Sequence, residues 1–305
     1  MRLRLRYSLG GTVFCLATGL VVLAPAWAEP AARPPATAPA EDPAMAVADA
    51  HISPWKPIFV GVEMCEGSTK TPRPVQMRAV RVDLREPTIE LLVTPSNGDQ
   101  PKDVNARTTS EFLAEFKCQA AINGSFFDVF ATQPADPQDI IGLSMSRGDL
   151  YSPPNHYDAL LISKDRRAWI DPAPIDTRGA YNALSGDTTL LLKGRYSLRA
   201  DDRRPITVNR HPRSAVGISR DGRYLILMAI DGRQRGYSEG ATKPETAEWL
   251  KKLGAWDALN LDGGGSTALV IEGPDGRPVT LNRPSGGRER RVANHLGVFA
   301  RKLPR

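Results

Sequence analysis

Short apolar runs separated by turn residues restrict the fold of this chain more than any other feature. Runs at 214–218 and 223–230 flank Asp221-Gly222, a strong signal for a β-hairpin. A second hairpin is predicted from the runs at 76–84 and 88–93. Further short strands are predicted at 120–122, 159–162, 189–192, 255–261, 268–271 and 292–300.

Helices are expected to be few. Capping residues followed by apolar residues at helical spacing occur at 109–116 and at 242–253, where Thr242-Lys243-Pro244-Glu245 forms a capping box. We therefore predict an α+β fold, a single mixed domain with many strands and few helices.

The first 57 residues are expected to lie outside this domain. Three arginines within the first six residues precede a largely apolar run, and Ala26-Trp27-Ala28 supplies a small-residue cleavage signal. Residues 1–28 are therefore predicted to be a signal peptide, and the Ala/Pro-rich residues 29–57 a flexible linker. The folded domain is placed at 58–305, in a protein that is secreted or periplasmic after cleavage. The apolar run is shorter than the about 20 residues of a membrane span, although an uncleaved anchor is the alternative. No second candidate span follows, so no span is expected after cleavage.

The charge distribution argues against a nucleic-acid partner. The formal charge of +6 at pH 7 falls to +3 when the three signal-peptide arginines are removed. The remaining basic residues are mixed with Asp and Glu and form no basic stripe, so a solvated mixed surface is the favoured interpretation. The sequence does not predict an oligomeric state.

The cysteines are consistent with export. Cys15 lies in the predicted signal peptide, which leaves Cys65 and Cys118 as one pair in an oxidising compartment. A disulfide between them is predicted, and it would contribute about 2 to 4 kcal/mol through loop closure. Two buried thiols are the alternative.

A glycine triplet between two predicted strands is the strongest candidate for a site. In Asn260-Leu261-Asp262-Gly263-Gly264-Gly265-Ser266-Thr267 a carboxylate precedes the glycines and two hydroxyls follow them. Glycines allow a ligand to approach the backbone closely, and their N–H groups can cradle anionic oxygens. The spaced glycines of a dinucleotide site and the Lys-Ser/Thr ending of a P-loop are both missing, so nucleotide binding is a weak interpretation. A plain turn is an equally good reading of the triplet alone.

Three more polar residues stand at predicted strand ends. Asn123 ends the strand at 120–122, Arg213 precedes the strand at 214–218, and Asp231 follows the strand at 223–230. Because a hairpin reverses the chain, Arg213 and Asp231 are expected near each other at its open end. A surface ion pair is the commoner explanation for such a pair.

Six segments carry a family resemblance through their order: 121–124, 211–217, 230–234, 259–266, 284–285 and 289–294. Together they resemble the phosphodiester glycosidase family over roughly 78–299, most strongly after Arg213. The resemblance implies hydrolysis of a sugar 1-phosphodiester, such as a GlcNAc-1-phosphodiester, to a sugar and a phosphomonoester. It is greatest to secreted bacterial members, several of which are associated with exopolysaccharide or envelope glycans.

This resemblance assigns roles to the candidate residues. Arg213 is expected to clamp the phosphate with its bidentate fork, Asp262 and Asp231 to act as nucleophile or acid/base, and Asn123 to orient the sugar or water. The residues expected to contact the substrate are Gly263, Gly264, Gly265, Ser266, Thr267 and, as a reserve carboxylate, Glu289.

Some features leave alternatives open. Lys243 stands where relatives usually have leucine, which is expected to affect only helix packing, and His295 stands where a small residue is usual. No cofactor is predicted with certainty; no His/Cys cluster of the zinc type occurs, and a divalent cation such as calcium is possible from Asp and carbonyl oxygens. The alternative function is a non-catalytic glycan-binding or exopolysaccharide or envelope-assembly protein that uses the same pocket.

Overall fold

The described part of the chain contains twenty-one strands and four short α-helices, joined by turns and loops. A computed structural model describes residues 43–131, 133–197 and 204–304, so the predicted signal peptide at 1–28 lies outside the described residues. The helices are α1 (Pro43–Ala46), α2 (Thr109–Phe116), α3 (Pro205–Val208) and α4 (Lys243–Lys252). The strands are β1 (His51–Ile52), β2 (Lys56–Phe59), β3 (Val62–Thr69), β4 (Val75–Asp83), β5 (Glu90–Val93), β6 (Val104–Asn105), β7 (Ala120–Asn123), β8 (Pro137–Gln138), β9 (Ser144–Ser146), β10 (Asp149–Ser152), β11 (Asp158–Ile162), β12 (Ala168–Asp171), β13 (Asn182–Gly186), β14 (Thr188–Leu192), β15 (Arg195–Tyr196), β16 (Arg213–Ser219), β17 (Tyr224–Ile230), β18 (Ala255–Asn260), β19 (Leu269–Glu272), β20 (Pro278–Thr280) and β21 (His295–Phe299).

These strands form three principal antiparallel sheets. The large sheet has the order β1-β3-β4-β17-β16-β18-β14-β15, with β2 added beside β3. A second sheet has the order β10-β9-β13-β11-β12, and a third has β20-β19-β7-β21-β5. A two-stranded sheet joins β6 and β8.

The large sheet is buried on both faces, as β17 illustrates. Leu225 and Leu227 point into the main core, where they meet side chains of the second and third sheets such as Leu160 and Ile122. Ile226 and Met228 point to the opposite face. This alternation follows from the two-residue period of a strand, and it explains why 223–230 is apolar throughout.

Two capped helices cover outer faces of the sheets. The side chains of Thr242 and Glu245 form a reciprocal capping box at the start of α4, and Trp249 of this helix is completely buried against the large sheet. Helix α2 has a similar box between Thr108 and Glu111, and it packs on the third sheet through Phe112. The predicted helices are thus confirmed. The fold is mostly β, so the α+β label holds only in the sense of a few helices added to sheets.

The structure corrects two predictions about strand pairing and the start of the domain. The two strands of the predicted hairpin at 76–93 do not pair with each other. Strand β4 pairs with β3 and β17, whereas β5 pairs with β21. Ordered elements also begin before residue 58. Strand β1 pairs with β3, and Val47 is buried in the core beneath α4, so residues 43–57 belong to the fold rather than to a linker.

The disulfide prediction is wrong in this structure, where Cys65 and Cys118 are both free and buried. Cys65 lies in β3 within the core beneath α4, whereas Cys118 lies in the separate cluster beneath α2. Burial raises the pKa of each thiol to about 12. Both side chains therefore behave as small apolar core residues.

Candidate active site

The glycine triplet crosses from one sheet to another. Strand β18 of the large sheet ends at Asn260, and β19 of the third sheet begins at Leu269. The eight residues between them therefore bridge two sheets, beside the end of β7 and the start of β16. The sheet topology thus brings polar residues at the ends of β7, β16 and β18 to this bridge.

Asn123 holds the bridge in place. Its Nδ2 donates to the backbone oxygen of Asp262 at 2.6 Å, and its Oδ1 accepts from Ser214 Oγ at 2.6 Å and from the Ala268 N–H at 3.1 Å. The Asp262 N–H donates to the oxygen of Gly124 at 3.0 Å. The fully buried amide is thus engaged within the protein, and it positions the Asp262 backbone instead of contacting a sugar.

The glycines are required by close approaches. A Cβ on Gly263 would lie 2.7 Å from the oxygen of Pro212, and Gly264 has a positive φ of 62°. The Gly264 N–H donates to the same Pro212 oxygen at 2.8 Å, and the Ser266 N–H donates to Gly263 at 3.1 Å within a single 3-10 turn. Two of the N–H groups predicted to cradle phosphate are therefore already hydrogen-bonded within the protein.

Two arginines that the sequence analysis did not select lie against the triplet. The guanidinium of Arg290 sits over Gly265, where a Cβ would collide with it. A Cβ on Gly264 would lie 3.0 Å from Arg233 Nη2, and this same nitrogen donates to His211 Nδ1 at 3.2 Å. The absent glycine side chains thus make room for two cations against the triplet.

An exposed aromatic side chain borders this cationic surface. The guanidinium carbon of Arg290 is 4.3 Å from the centroid of the Phe130 ring, and Phe130 is 68% exposed. The site therefore has an apolar rim next to its positive charge.

Asp262 has the chemistry of a proton donor near neutral pH. Burial raises the pKa of its carboxyl group to about 7, even though the Ser266 hydroxyl, Arg290 and the Gly263 N–H each favour the charged form. The carboxyl group is desolvated, but the residue keeps part of its surface accessible. A carboxylic acid with this pKa and this access is suited to general acid catalysis.

Arg213 is not placed as the phosphate-clamp prediction requires. Its Nε donates to the oxygen of Ala241 at 2.9 Å, and its Nη2 donates to the oxygens of Ile206 and Asn209 at 3.1 and 2.9 Å. Only 2% of its surface is exposed, and burial lowers its pKa to about 10. Arg213 fixes α3 and the segment before α4.

Asp231 is enclosed as well. Its carboxylate accepts from the Arg283 N–H at 2.8 Å and from Asn282 Nδ2 and Tyr237 Oη at 3.2 Å each. Burial raises its pKa. These contacts tie the 282–283 segment to the end of β17, so the Asp231 carboxylate is engaged within the protein.

Glu289 is occupied by structural contacts. It accepts from the Ser110 N–H at 2.9 Å, from Ser110 Oγ at 2.5 Å and from Thr280 Oγ1 at 2.6 Å. The carboxylate thus complements the N-terminal turn of α2, and it fixes the backbone that carries the neighbouring Arg290.

The hydroxyls after the triplet are buried without ideal partners. Ser266 Oγ and Thr267 Oγ1 make no hydrogen bond of standard geometry within the described residues. The Ser266 hydroxyl nevertheless lies close enough to Asp262 to favour its charged form. Unpaired buried hydroxyls are costly and are usually satisfied by a ligand or water. Among described residues, no group of three or more His, Cys, Asp and Glu side chains is arranged to hold a metal ion, so calcium binding stays a prediction.

The structure also brings Asp187 and Lys243 to this region. Lys243 Nζ donates to Asp187 Oδ2 at 2.6 Å, and the negative charge of Asp187 raises the pKa of both Asp262 and Tyr157. The prediction that Lys243 affects only helix packing is therefore wrong. The departure from leucine at position 243 was the available signal, but its partner at 187 could not be identified without the fold.

Solved structures with this fold include an enzyme and two uncharacterised proteins. The catalytic domain of zebrafish N-acetylglucosamine-1-phosphodiester alpha-N-acetylglucosaminidase, auto-inhibited by its pro-peptide, matches with a TM-score of 0.59 and 22% identity, over 83% of this chain and 88% of that one. A hypothetical protein from Synechocystis matches at 0.55 and 20% identity, over 82% of this chain and 64% of that one. A putative exported protein from Burkholderia pseudomallei matches at 0.55 and 17% identity, over 74% of each chain. At these identities the likeness establishes the fold alone.

Sequence comparison gives a more specific result. A stretch of 89 residues is 35% identical to the SPbeta prophage-derived uncharacterized protein YomE of Bacillus subtilis, which covers 29% of this chain and only 13% of YomE. The family model described as phosphodiester glycosidase matches residues 116–299. This match spans well over half of the chain and includes the whole Asp262 bridge. The chain therefore belongs to the phosphodiester glycosidase family.

Proposed function

We propose that this protein hydrolyses a sugar 1-phosphodiester, releasing a free sugar and a phosphomonoester. The observation that carries the proposal is the arrangement around the glycine triplet, which follows a carboxyl group with a pKa of about 7 and lies against two arginines. Such a site offers an acid for a leaving oxygen and positive charge for a phosphate. Family membership supports the same reaction class.

Arg233 and Arg290 are the proposed phosphate ligands. Both guanidinium groups border the triplet, where the lack of side chains allows a phosphoryl group to reach them. A guanidinium presents a planar fork that matches two phosphoryl oxygens. His211 accepts from Arg233 through Nδ1, so it orients this fork. The cations also offset the negative charge that the phosphate leaving group develops.

Asp262 is the proposed general acid. In the reaction, the bond between the anomeric carbon and the bridging oxygen breaks, and its electron pair stays on that oxygen. Asp262 donates its proton to the departing oxygen, while the oxygen of a water molecule bonds to the anomeric carbon and its surplus proton leaves to solvent. The transition state has oxocarbenium character, as is usual in glycoside hydrolysis.

The proposed setting is the cell envelope or its surroundings. The sequence features of residues 1–28 are those of a signal peptide, and no helix within the described residues has the length and apolar character needed to cross a membrane. We therefore propose GlcNAc-1-phosphodiesters and glycosyl phosphates of envelope or exopolysaccharide glycans as substrates.

The test is an activity assay on the purified mature protein with a panel of sugar 1-phosphodiesters, using release of the sugar as the readout. Hydrolysis by the wild type, and loss of at least about a hundredfold in kcat for Asp262→Asn, are expected because the acid is removed. No hydrolysis of any substrate, together with measurable glycan binding, would favour the non-catalytic binding alternative.

Arginine variants test the phosphate site separately. Arg290→Ala and Arg233→Ala are each expected to lower kcat/KM by roughly tenfold to a hundredfold, since each loses one charge-assisted contact. Arg288→Ala is the matched control, because Arg288 is exposed on the same loop and no contact of its guanidinium with the triplet is seen. An equal loss in the control variant would remove the assignment.

A further inference from the structure

A buried ion pair lies next to the proposed acid, and the reaction described above does not use it. Lys243 is 1% exposed, and its Nζ donates to Asp187 Oδ2 and to Thr188 Oγ1 at 2.6 Å each. It is the first residue of α4, where a cation opposes the helix dipole. Burial also lowers the pKa of Lys243. A leucine would avoid these costs, so the pair requires a reason other than packing.

Backbone and side-chain contacts fix Asp187 at the end of β18, which stops two residues before Asp262. Asn260 Nδ2 donates to Asp187 Oδ1 at 2.8 Å, and the Asp187 N–H donates to the oxygen of Asn260 at 3.2 Å. Thr188 stands opposite Asn260 in the pairing of β14 with β18. Since Asp262 follows Asn260 by two residues, Asp187 is anchored at the same sheet edge. Both Asp187 oxygens are thereby held in one orientation.

Each charged group near this edge has a defined place. The negative charge of Asp187 raises the pKa of Asp262 and Tyr157, and it also favours the charged forms of Lys243 and Arg213. Arg290, whose guanidinium lies against Gly265, favours the charged form of Asp262. Burial is the larger influence on Asp262, and the Asp187 charge adds to it in the same direction.

We propose that Asp187, anchored by Lys243 and Asn260, is a positioning residue whose fixed negative charge keeps the proton on Asp262. In a site that binds an anionic substrate, Arg290 would otherwise draw the acid toward its ionised form. The negative charge of Asp187 opposes this effect. This role rests on the proposed function of Asp262 as an acid, but the electrostatic coupling itself can be tested without substrate.

The test is titration of the Asp262 carboxyl group by carbon-13 NMR in the substrate-free protein. Asp187→Asn is expected to lower the pKa of Asp262 by roughly half a unit, about a threefold change in proton affinity. Asp187→Glu retains the charge and should stay closer to the wild type. Asp257→Asn is the control, because Asp257 lies on the same strand and accepts from the Lys193 N–H instead. If Asp187→Asn changes the pKa of Asp262 no more than Asp257→Asn does, the proposal is overturned.

A second variant covers the case in which Asp187→Asn does not fold. In Asp187→Asn/Lys243→Gln both charges are removed together, which is far less disruptive than leaving a buried charge unpaired. A lowered pKa of Asp262 is expected here too, and an unchanged one overturns the proposal. In activity assays, the alkaline limb of the pH profile should shift to lower pH by the same number of pH units. If the NMR shift occurs but no sugar phosphodiester is cleaved, the proposed function fails while the coupling of Asp187 to Asp262 stands.

Discussion

Replacing Asp262 by asparagine is expected to stabilise the fold at alkaline pH while it removes activity. The pKa of Asp262 is raised from 3.8 to about 7 in the folded protein. Because the unfolded chain holds this proton less tightly, the stability due to the protonated group is complete below about pH 4. It is then lost as pH rises through about 7. Asparagine cannot ionise, so the variant avoids this loss.

The size of the effect follows from the shift. A difference of about 3 pKa units corresponds to about 4 kcal/mol at 1.36 kcal/mol per unit. The residue keeps some exposure, and asparagine forms poorer contacts with the Gly263 N–H, so we expect a gain of about 1 to 3 kcal/mol at pH 8.5. Stabilisation on loss of an active-site charge is the expected trade-off between stability and activity.

The assay is urea unfolding of wild type and Asp262→Asn at pH 4.5 and pH 8.5. The variant should be more stable at pH 8.5, and the difference should shrink at pH 4.5. Asp275→Asn serves as the control, because Asp275 is an exposed carboxylate in a turn and should show no such pH dependence. If Asp262→Asn is no more stable than the wild type at pH 8.5, or if its gain is the same at both pH values, the assignment of a raised pKa is refuted.

Three further predictions concern the scaffold around the site. Asn123→Ala should destabilise the fold by roughly 2 to 4 kcal/mol in urea unfolding and lower kcat, since the Asp262 backbone loses its anchor; a variant with wild-type stability would contradict the anchoring role. Arg213→Met should lower the melting temperature because three backbone carbonyls lose their donor, whereas KM of the folded variant should change far less than in the Arg290 variant; a larger rise in KM would restore Arg213 as a phosphate ligand. Cys65 and Cys118 should be alkylated only after unfolding, and a reductant should leave the melting temperature unchanged; a mass lower by two hydrogens before reduction would reveal a disulfide.

Local sequence signals predicted the elements of this fold better than their partners. The capping box at Thr242 and the Asp221-Gly222 turn are local interactions, and both occur as predicted. The hairpin prediction at 76–93 failed because β4 pairs on one edge with the preceding strand β3 and on the other with β17, which is distant in sequence. Strand pairing depends on which apolar faces meet in the core, and alternation within a strand does not encode its partner.

The site shows the same limit. Asp262 and its glycines could be selected as candidates because their chemistry is contiguous in sequence. Arg290 was not selected although it neighbours Glu289, because charge alone does not show which side chain turns toward the triplet. Arg213 and Asp231 were correctly placed near each other at the open end of the β16–β17 hairpin, but burial directs their side chains into structural contacts. The Asp187–Lys243 pair joins residues 56 positions apart, which only the three-dimensional fold brings together.

The position of bond cleavage tests the central claim most directly. A sugar 1-phosphodiester is hydrolysed in water enriched in oxygen-18, and the phosphomonoester is examined by mass spectrometry. The label shows whether water attacks the anomeric carbon or the phosphorus. If Asp262 protonates the bridging oxygen and water attacks the anomeric carbon, the phosphomonoester carries no label. Label in the phosphomonoester would mean that the phosphorus–oxygen bond is broken, and it would contradict a glycosidase mechanism at this site.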